Sequence, residues 1–287
     1  MPIVTTSAGA LNYRTFGPTV SPSPPVVFVH GFLVDSTLWD PVASLLAAAG
    51  IRSYLVDWPL GSHRTPMHAD ADLSPVGVAS IVNETLDRLG LTDVTLVGND
   101  TGGALCQLLL VADATRVGRV VLTNCDAFEK FPPTMFLPLF NAAKRPWLTK
   151  LLLAPMRLRL MRHSPLAYGL LMQRPRASHL TAGWVTPAMT QREIRQDLAR
   201  FARGVDRTTL TTAADRLCEF AGPVRIVWGT ADHCFTLESA HRLASAFGHA
   251  EVIEVAGVST FVPIDAPETV ADAIVSIATV ERVDFID

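Results

Sequence analysis

Short unbroken apolar runs alternate along this chain with stretches whose apolar positions recur at helical spacing. Pro25–Val29 (PVVFV), Arg52–Val56, Asp93–Val97 (DVTLV), Arg119–Thr123, Pro223–Trp228 and Glu251–Val255 read as strands. Runs without polar alternation fit strands buried on both faces. Between them the spacing predicts helices over Trp39–Ala49, Ala104–Ala112, the region near Ser239–Phe247, and Glu268–Ile277. Another helix opens at Ser74-Pro75, a serine N-cap followed by proline, and runs to about Leu89, where Gly90 closes it. Ile3–Thr6 and Leu11–Phe16 flank Ala8-Gly9 and predict a hairpin. Strands alternating with helices predict an α/β fold: a mostly parallel sheet with helices on both faces.

The alternation breaks from about Pro132 to Asp215, which is rich in Leu, Met, Arg and Pro and holds no convincing strand. Its place between two strands predicts a helical cap inserted at the C-terminal edge of the sheet, where open parallel sheets bind ligands. The expected division is a core of residues 1–131 plus 216–287 and a cap of residues 132–215. Within the cap, Lys150, Arg157, Arg159 and Arg162 stand among the leucines of Leu148–Met161. They fit either a basic amphipathic surface or, the favoured reading, a cap whose long cations snorkel over an apolar pocket.

Hydrophobic residues make up 49 % of the 287, enough for a large core plus an apolar pocket or an oligomer contact, and far from a disordered composition. A net charge of −3 gives no electrostatic case for nucleic acid. Cys106, Cys125, Cys218 and Cys234 show no CxxC spacing, which predicts reduced thiols in a cytoplasmic protein. The first residues lack a basic head followed by an apolar run, and no apolar stretch is long enough to span a bilayer. Expected partners are therefore a small apolar organic substrate, with neither nucleic acid nor membrane, and the apolar content leaves room for a homodimer. With no HExxH, P-loop or GxGxxG spacing, neither a metal nor another cofactor is expected.

One motif concentrates the chemistry. The strand Asp93–Val97 runs directly into Gly98-Asn99-Asp100-Thr101-Gly102-Gly103 and then a helix. A sharp strand-to-helix turn, with glycine two residues on either side, presents the central carboxylate at the sheet's edge and beside the positive end of the helix. Three further motifs follow strands: His30-Gly31-Phe32, Asp57-Trp58-Pro59-Leu60-Gly61-Ser62 and Trp228-Gly229-Thr230-Ala231-Asp232.

Together these four motifs resemble the α/β-hydrolase fold superfamily over nearly the whole chain. The Asp at the elbow resembles the branch of haloalkane dehalogenases, epoxide hydrolases and fluoroacetate dehalogenases. The resemblance implies Asp100 as nucleophile, the backbone N–H groups of Phe32 and Thr101 as oxyanion hole, and Asp232 as the acid that orients a catalytic histidine. It gives His30 a structural role bracing the oxyanion loop. In such a mechanism Asp100 forms an alkyl ester, and a water activated by the histidine then cleaves it.

The pattern departs from the family where the base belongs. The segment after the last strand reads Val258-Ser259-Thr260-Phe261-Val262-Pro263, and Thr260 holds the histidine's place. A hydroxyl is no general base near neutrality. His233, next to Asp232, is the candidate relocated base, with His163 and His179 of the cap behind it. Candidate substrate-binding residues are Asn124, at the end of the strand before the cap, Phe128, Tyr168, Trp184 and Thr260. Asp126 and Glu129 are further candidates for a displaced acid. The cap holds one tyrosine, Tyr168, where epoxide hydrolases use two.

Three functions stay open. One is a hydrolase with covalent Asp100 and an atypical or relocated base. Another is a non-hydrolytic enzyme in which Asp100 moves a proton during cyclisation, elimination or carbon–carbon bond formation. The last is a catalytically silent ligand-binding protein.

Overall fold

Strands that carry no polar alternation need cover on both faces, and the computed structural model supplies it. It describes residues 1–173 and 178–278. Eight strands form one sheet: β1 (Ile3–Thr6), β2 (Gly9–Phe16), β3 (Val26–Val29), β4 (Ser53–Val56), β5 (Val94–Asp100), β6 (Val117–Cys125), β7 (Val224–Gly229) and β8 (Glu251–Val255). Their order is β1-β2-β4-β3-β5-β6-β7-β8. The hairpin β1–β2 and the pair β2–β4 are antiparallel, and every other pair is parallel.

Helices α1 (Asp40–Ala48), α2 (Pro75–Arg88), α3 (Thr101–Asp113), α10 (Leu237–Phe247) and α12 (Pro267–Ala278) cover the sheet, and the short α11 (Val262–Asp265) leads into α12. Ser74 caps α2 by accepting the Gly77 amide, and Gly248 ends α10 in the left-handed conformation. Every residue of β3 is buried, as its unbroken apolar sequence demands, and every residue of β6 is buried too, Arg119, Thr123 and Asn124 included. Between β6 and β7, over the segment expected to form a cap, lie α4 (Leu137–Ala143), α5 (Pro146–Leu153), α6 (Arg159–Arg162), α7 (Ser178–Thr190), α8 (Arg192–Gly204) and α9 (Arg207–Ala214). Trp184 pins α7 to the core: its indole N–H donates to Thr37 Oγ1 at 2.8 Å, and its carbonyl accepts the Ser62 hydroxyl at 2.7 Å.

The chain leaves β3 for β4 on one side and returns to β5 on the other. β3 and β5 are therefore neighbours at a switch in winding direction, where crevices open at the carboxyl ends of the strands. His30-Gly31-Phe32 follows β3 and Asp100 ends β5, so two of the four motifs meet there.

Candidate active site

β5 passes into α3 with no intervening loop. The chain can reverse that sharply only if the junction residue leaves the usual basins, and Asp100 does so at φ 54, ψ −131. Close passage depends on Gly102, where a Cβ would fall 2.1 Å from the Val29 carbonyl oxygen. It depends as much on Gly31, whose absent side chain makes the space the carboxylate occupies: a Cβ there would lie 2.2 Å from Asp100 Oδ2.

The Asp100 carboxylate accepts the backbone N–H groups of Phe32 and Thr101, the two donors expected to form an oxyanion hole. The side chain keeps some open surface, but that surface faces the cavity and the carboxyl is otherwise enclosed by protein. Burial, reinforced by the negative charge of Asp232, pushes its pKa up to about 7 against the pull of the two amides.

Asp232 sits behind it in a cage of donors. The amides of Cys234 and Phe235 donate to Oδ1, while Asn124 Nδ2 and Thr260 Oγ1 donate to Oδ2, both at 2.8 Å. Burial raises its pKa, and the four donors work against the rise. Asn99, next to the elbow, donates to the Thr260 carbonyl at 2.8 Å and so ties the β8 loop to β5.

A cavity of about 510 Å³ opens above Asp100, lined mainly by apolar cap residues such as Met135, Phe136, Leu153, Met156 and Leu171. Its polar wall includes Asp100, Thr101 and Asp126. Asp126 lies just past β6, fully buried. Its Oδ2 accepts the Thr101 hydroxyl at 3.2 Å, and its Oδ1 has no partner among the described residues. Burial and the neighbouring Asp100 carry its pKa well above the ordinary carboxylate value. Two carboxyls of raised proton affinity thus line one apolar chamber.

Tyr168 also lines the cavity, and its hydroxyl donates to the Leu33 carbonyl at 2.5 Å. Leu33 has φ 56, so this bond holds the oxyanion loop in a conformation it would otherwise leave.

The other expected contacts are not brought to the cavity. Asn124 is fully buried, with Nδ2 on Asp232 and Oδ1 accepting the Gly229 amide. Thr260 is turned onto Asp232. Trp184 is spent on pinning the cap, and Phe128 packs under the Arg242 guanidinium, 3.8 Å from its ring centroid. Glu129, the other displaced-acid candidate, is exposed and paired with Arg242.

His233 is a correction. Asp232 Oδ1 bonds the amide two residues on, and this side-chain turn leaves residue 233 at an outward corner, exposed. None of the eight histidines lines the cavity. His30 is fully buried, with Nδ1 against the Gly31 carbonyl at 3.0 Å and Nε2 accepting the Trp58 amide at 2.9 Å. Burial brings its pKa down to about 4, so it stays neutral and holds the Gly31 turn. His63 is buried against Asp197, His163 meets Thr181, and His179 is exposed.

Asp126, which the sequence offers only as a candidate displaced acid, lines the cavity beside Asp100. Its signal is its place directly after β6, at the carboxyl edge of the sheet where open parallel sheets bind ligands.

Comparison with known proteins agrees with this architecture. A non-heme chloroperoxidase of Kitasatospora aureofaciens is 31 % identical over 136 residues, 47 % of this chain and 46 % of its own. A 2-hydroxy-6-oxononadienedioate/2-hydroxy-6-oxononatrienedioate hydrolase of Cupriavidus pinatubonensis is 26 % identical over 238 residues, 79 % of this chain and 77 % of its own. The chain thus spans less than half of the first of these relatives. The solved structure of a haloalkane dehalogenase from Bradyrhizobium elkani superimposes with a TM-score of 0.76 at 19 % identity, over 95 % of this chain and 94 % of that one, a likeness of fold. Residues 24–267 match the family model described as the alpha/beta hydrolase fold, and the chain belongs to that family.

Proposed function

We propose that this protein is an enzyme that moves a proton on a small or medium apolar substrate, with Asp100 as the base and Asp126 as the acid. The observation that carries this reading is the pair itself: two carboxyls whose surroundings raise their proton affinities, on the wall of one apolar cavity that no histidine lines. Near neutral pH Asp100 is poised between its two forms and can take a proton from carbon. Asp126, whose proton burial holds more firmly than an ordinary carboxyl's, would supply it to an oxygen or nitrogen that gains charge. Isomerisation, elimination and cyclisation all need such a pair and no activated water.

The probe is nitrobenzisoxazole, a flat apolar molecule that opens in one step. A base takes its ring C–H proton, the C–N bond order rises to a nitrile, and the N–O bond breaks to a phenolate. The wild-type protein is expected to accelerate the opening in proportion to the ionised fraction of Asp100, and Asp100→Asn to abolish the acceleration. Equal rates in the two proteins would refute the reading.

A second reading has its own observation. The two amides on the Asp100 carboxylate also suit a covalent nucleophile, whose ester carbonyl they would polarise. An alkyl halide, losing halide, or an epoxide, opening to an alkoxide, would then alkylate Asp100, and the ester would persist because no imidazole lies beside it to activate water. Intact-mass measurement after incubation with styrene oxide distinguishes the two. A stable adduct on Asp100 supports the covalent reading, and its absence supports proton transfer.

A further inference from the structure

Charge is distributed unevenly along this chain. Residues 131–192 hold nine of its 24 lysines and arginines and none of its 27 aspartates and glutamates. The rest of the molecule is strongly acidic, so a strongly positive cap is carried on a negative body.

Large apolar side chains are exposed in the same segment. Trp147 is 67 % exposed, Leu160 77 % and Leu166 95 %, and Leu151 and Leu158 are open to a similar degree. On α5, Trp147, Lys150 and Leu151 are three and four residues apart and share one outward face, opposite the buried Thr149 and Leu153. Lys150, Arg157 and Arg159 are exposed, and no ion pair holds them among the described residues. Leu151, Leu158 and Leu160, which stand among these cations, are uncovered as well. Arg162 alone turns inward, to the Met156 and Arg157 carbonyls.

This face is also the mouth of the cavity. Leu152, Met161 and Leu166 are exposed on the outside and line the chamber on the inside.

We propose that the cap face of residues 147–166 docks on an anionic lipid bilayer, with the cavity mouth turned toward the acyl chains. A tryptophan and leucines interleaved with lysine and arginine, on short helices, is the composition of segments that lie in a membrane interface. The cations meet anionic headgroups while the leucines and Trp147 enter the acyl boundary. An apolar molecule dissolved in the bilayer then reaches Asp100 without crossing water. A second copy of the chain fits this face poorly, because it would bring the same unpaired cations together. This inference concerns binding and stands apart from the proton-transfer reading.

The test is partition onto sedimented vesicles at low salt. Phosphatidylcholine vesicles containing about 30 % phosphatidylserine are compared with vesicles of phosphatidylcholine alone. Trp147 reports the contact, because the other four tryptophans are fully buried. The protein is expected to bind the anionic vesicles with a blue shift of its emission, and to bind the neutral ones at least about tenfold more weakly. The charge-reversed variant K150E/R157E/R159E, with an unchanged melting temperature, should lose at least about tenfold in partition. Trp147→Ala should lose the emission change. No partition, equal partition to both vesicles, or unaltered binding by the charge-reversed variant would overturn the proposal. Binding to polyglutamate without binding to vesicles would overturn it too, in favour of an acidic polypeptide partner.

Discussion

Thr260 donates its hydroxyl to Asp232 Oδ2 at 2.8 Å, in the position where the family resemblance leads one to expect a histidine. The acid is therefore intact and fully solvated by protein donors, but it orients no base. Its remaining effect on the site is electrostatic: its charge lies behind Asp100 and helps hold the Asp100 pKa up.

Thr260→Val removes one of the four donors on Asp232. The lost bond should cost about 1–2 kcal/mol of stability by thermal or urea unfolding. Asp232 becomes harder to ionise, so its repulsion of Asp100 weakens. The midpoint of the pH–rate profile with nitrobenzisoxazole should accordingly move down.

Gly31→Ala places a methyl group 2.2 Å from Asp100 Oδ2. Either the carboxylate leaves the Phe32 and Thr101 amides or the loop shifts. The expected result is a loss of activity on the order of a hundredfold, with about 1–3 kcal/mol of destabilisation from overpacking. Wild-type activity in this variant would show that the carboxylate does not work from the position seen.

How much of this was legible beforehand differs by element. β5 and α3 were read from an apolar run and a helical spacing, and the turn between them from two glycines. What periodicity missed is that strand and helix abut, with β5 reaching Asp100 and α3 starting at Thr101. That follows from the strain at Asp100, which leaves no trace in hydrophobic pattern. That the Phe32 and Thr101 amides converge near Asp100 is implied by the family resemblance of the two motifs, and both donate to its carboxylate. Asn124, Phe128 and Trp184 were misplaced because a polar or aromatic residue near a strand end can turn inward as easily as toward a ligand, and tertiary partners decide. Asn124 found Asp232 and Gly229, Phe128 found Arg242, and Trp184 found Thr37. Arg157 and Arg159 carried an open choice between pocket and surface, and only the burial of their neighbours resolves it.

Asp126→Asn keeps the shape of the side chain and its contact with Thr101 but removes a carboxylic acid that faces the cavity. Turnover that needs a donated proton should fall on the order of a hundredfold. Because the negative charge Asp126 can acquire also opposes ionisation of Asp100, the acidic midpoint should not rise. A pH–rate series on this variant checks both effects.

Stability should fall as pH rises. Asp100 has a folded pKa near 7 against an unfolded value near the ordinary 3.8, so between those values the folded state holds a proton that the unfolded state has lost. Its contribution is complete below about pH 4 and is lost as pH climbs through 7. The loss is on the order of 4 kcal/mol. Asp126, Asp232 and Asp35, all raised by burial, act in the same direction. Urea unfolding at a series of pH values should show a falling curve, flattened in Asp100→Asn.

The most direct test is the titration of Asp100 itself. The carboxyl carbon-13 signal, assigned by its disappearance in Asp100→Asn, is followed by NMR across the pH range. The proton-transfer account predicts a midpoint near 7. A midpoint near 4, where an ordinary solvated aspartate titrates, would contradict it.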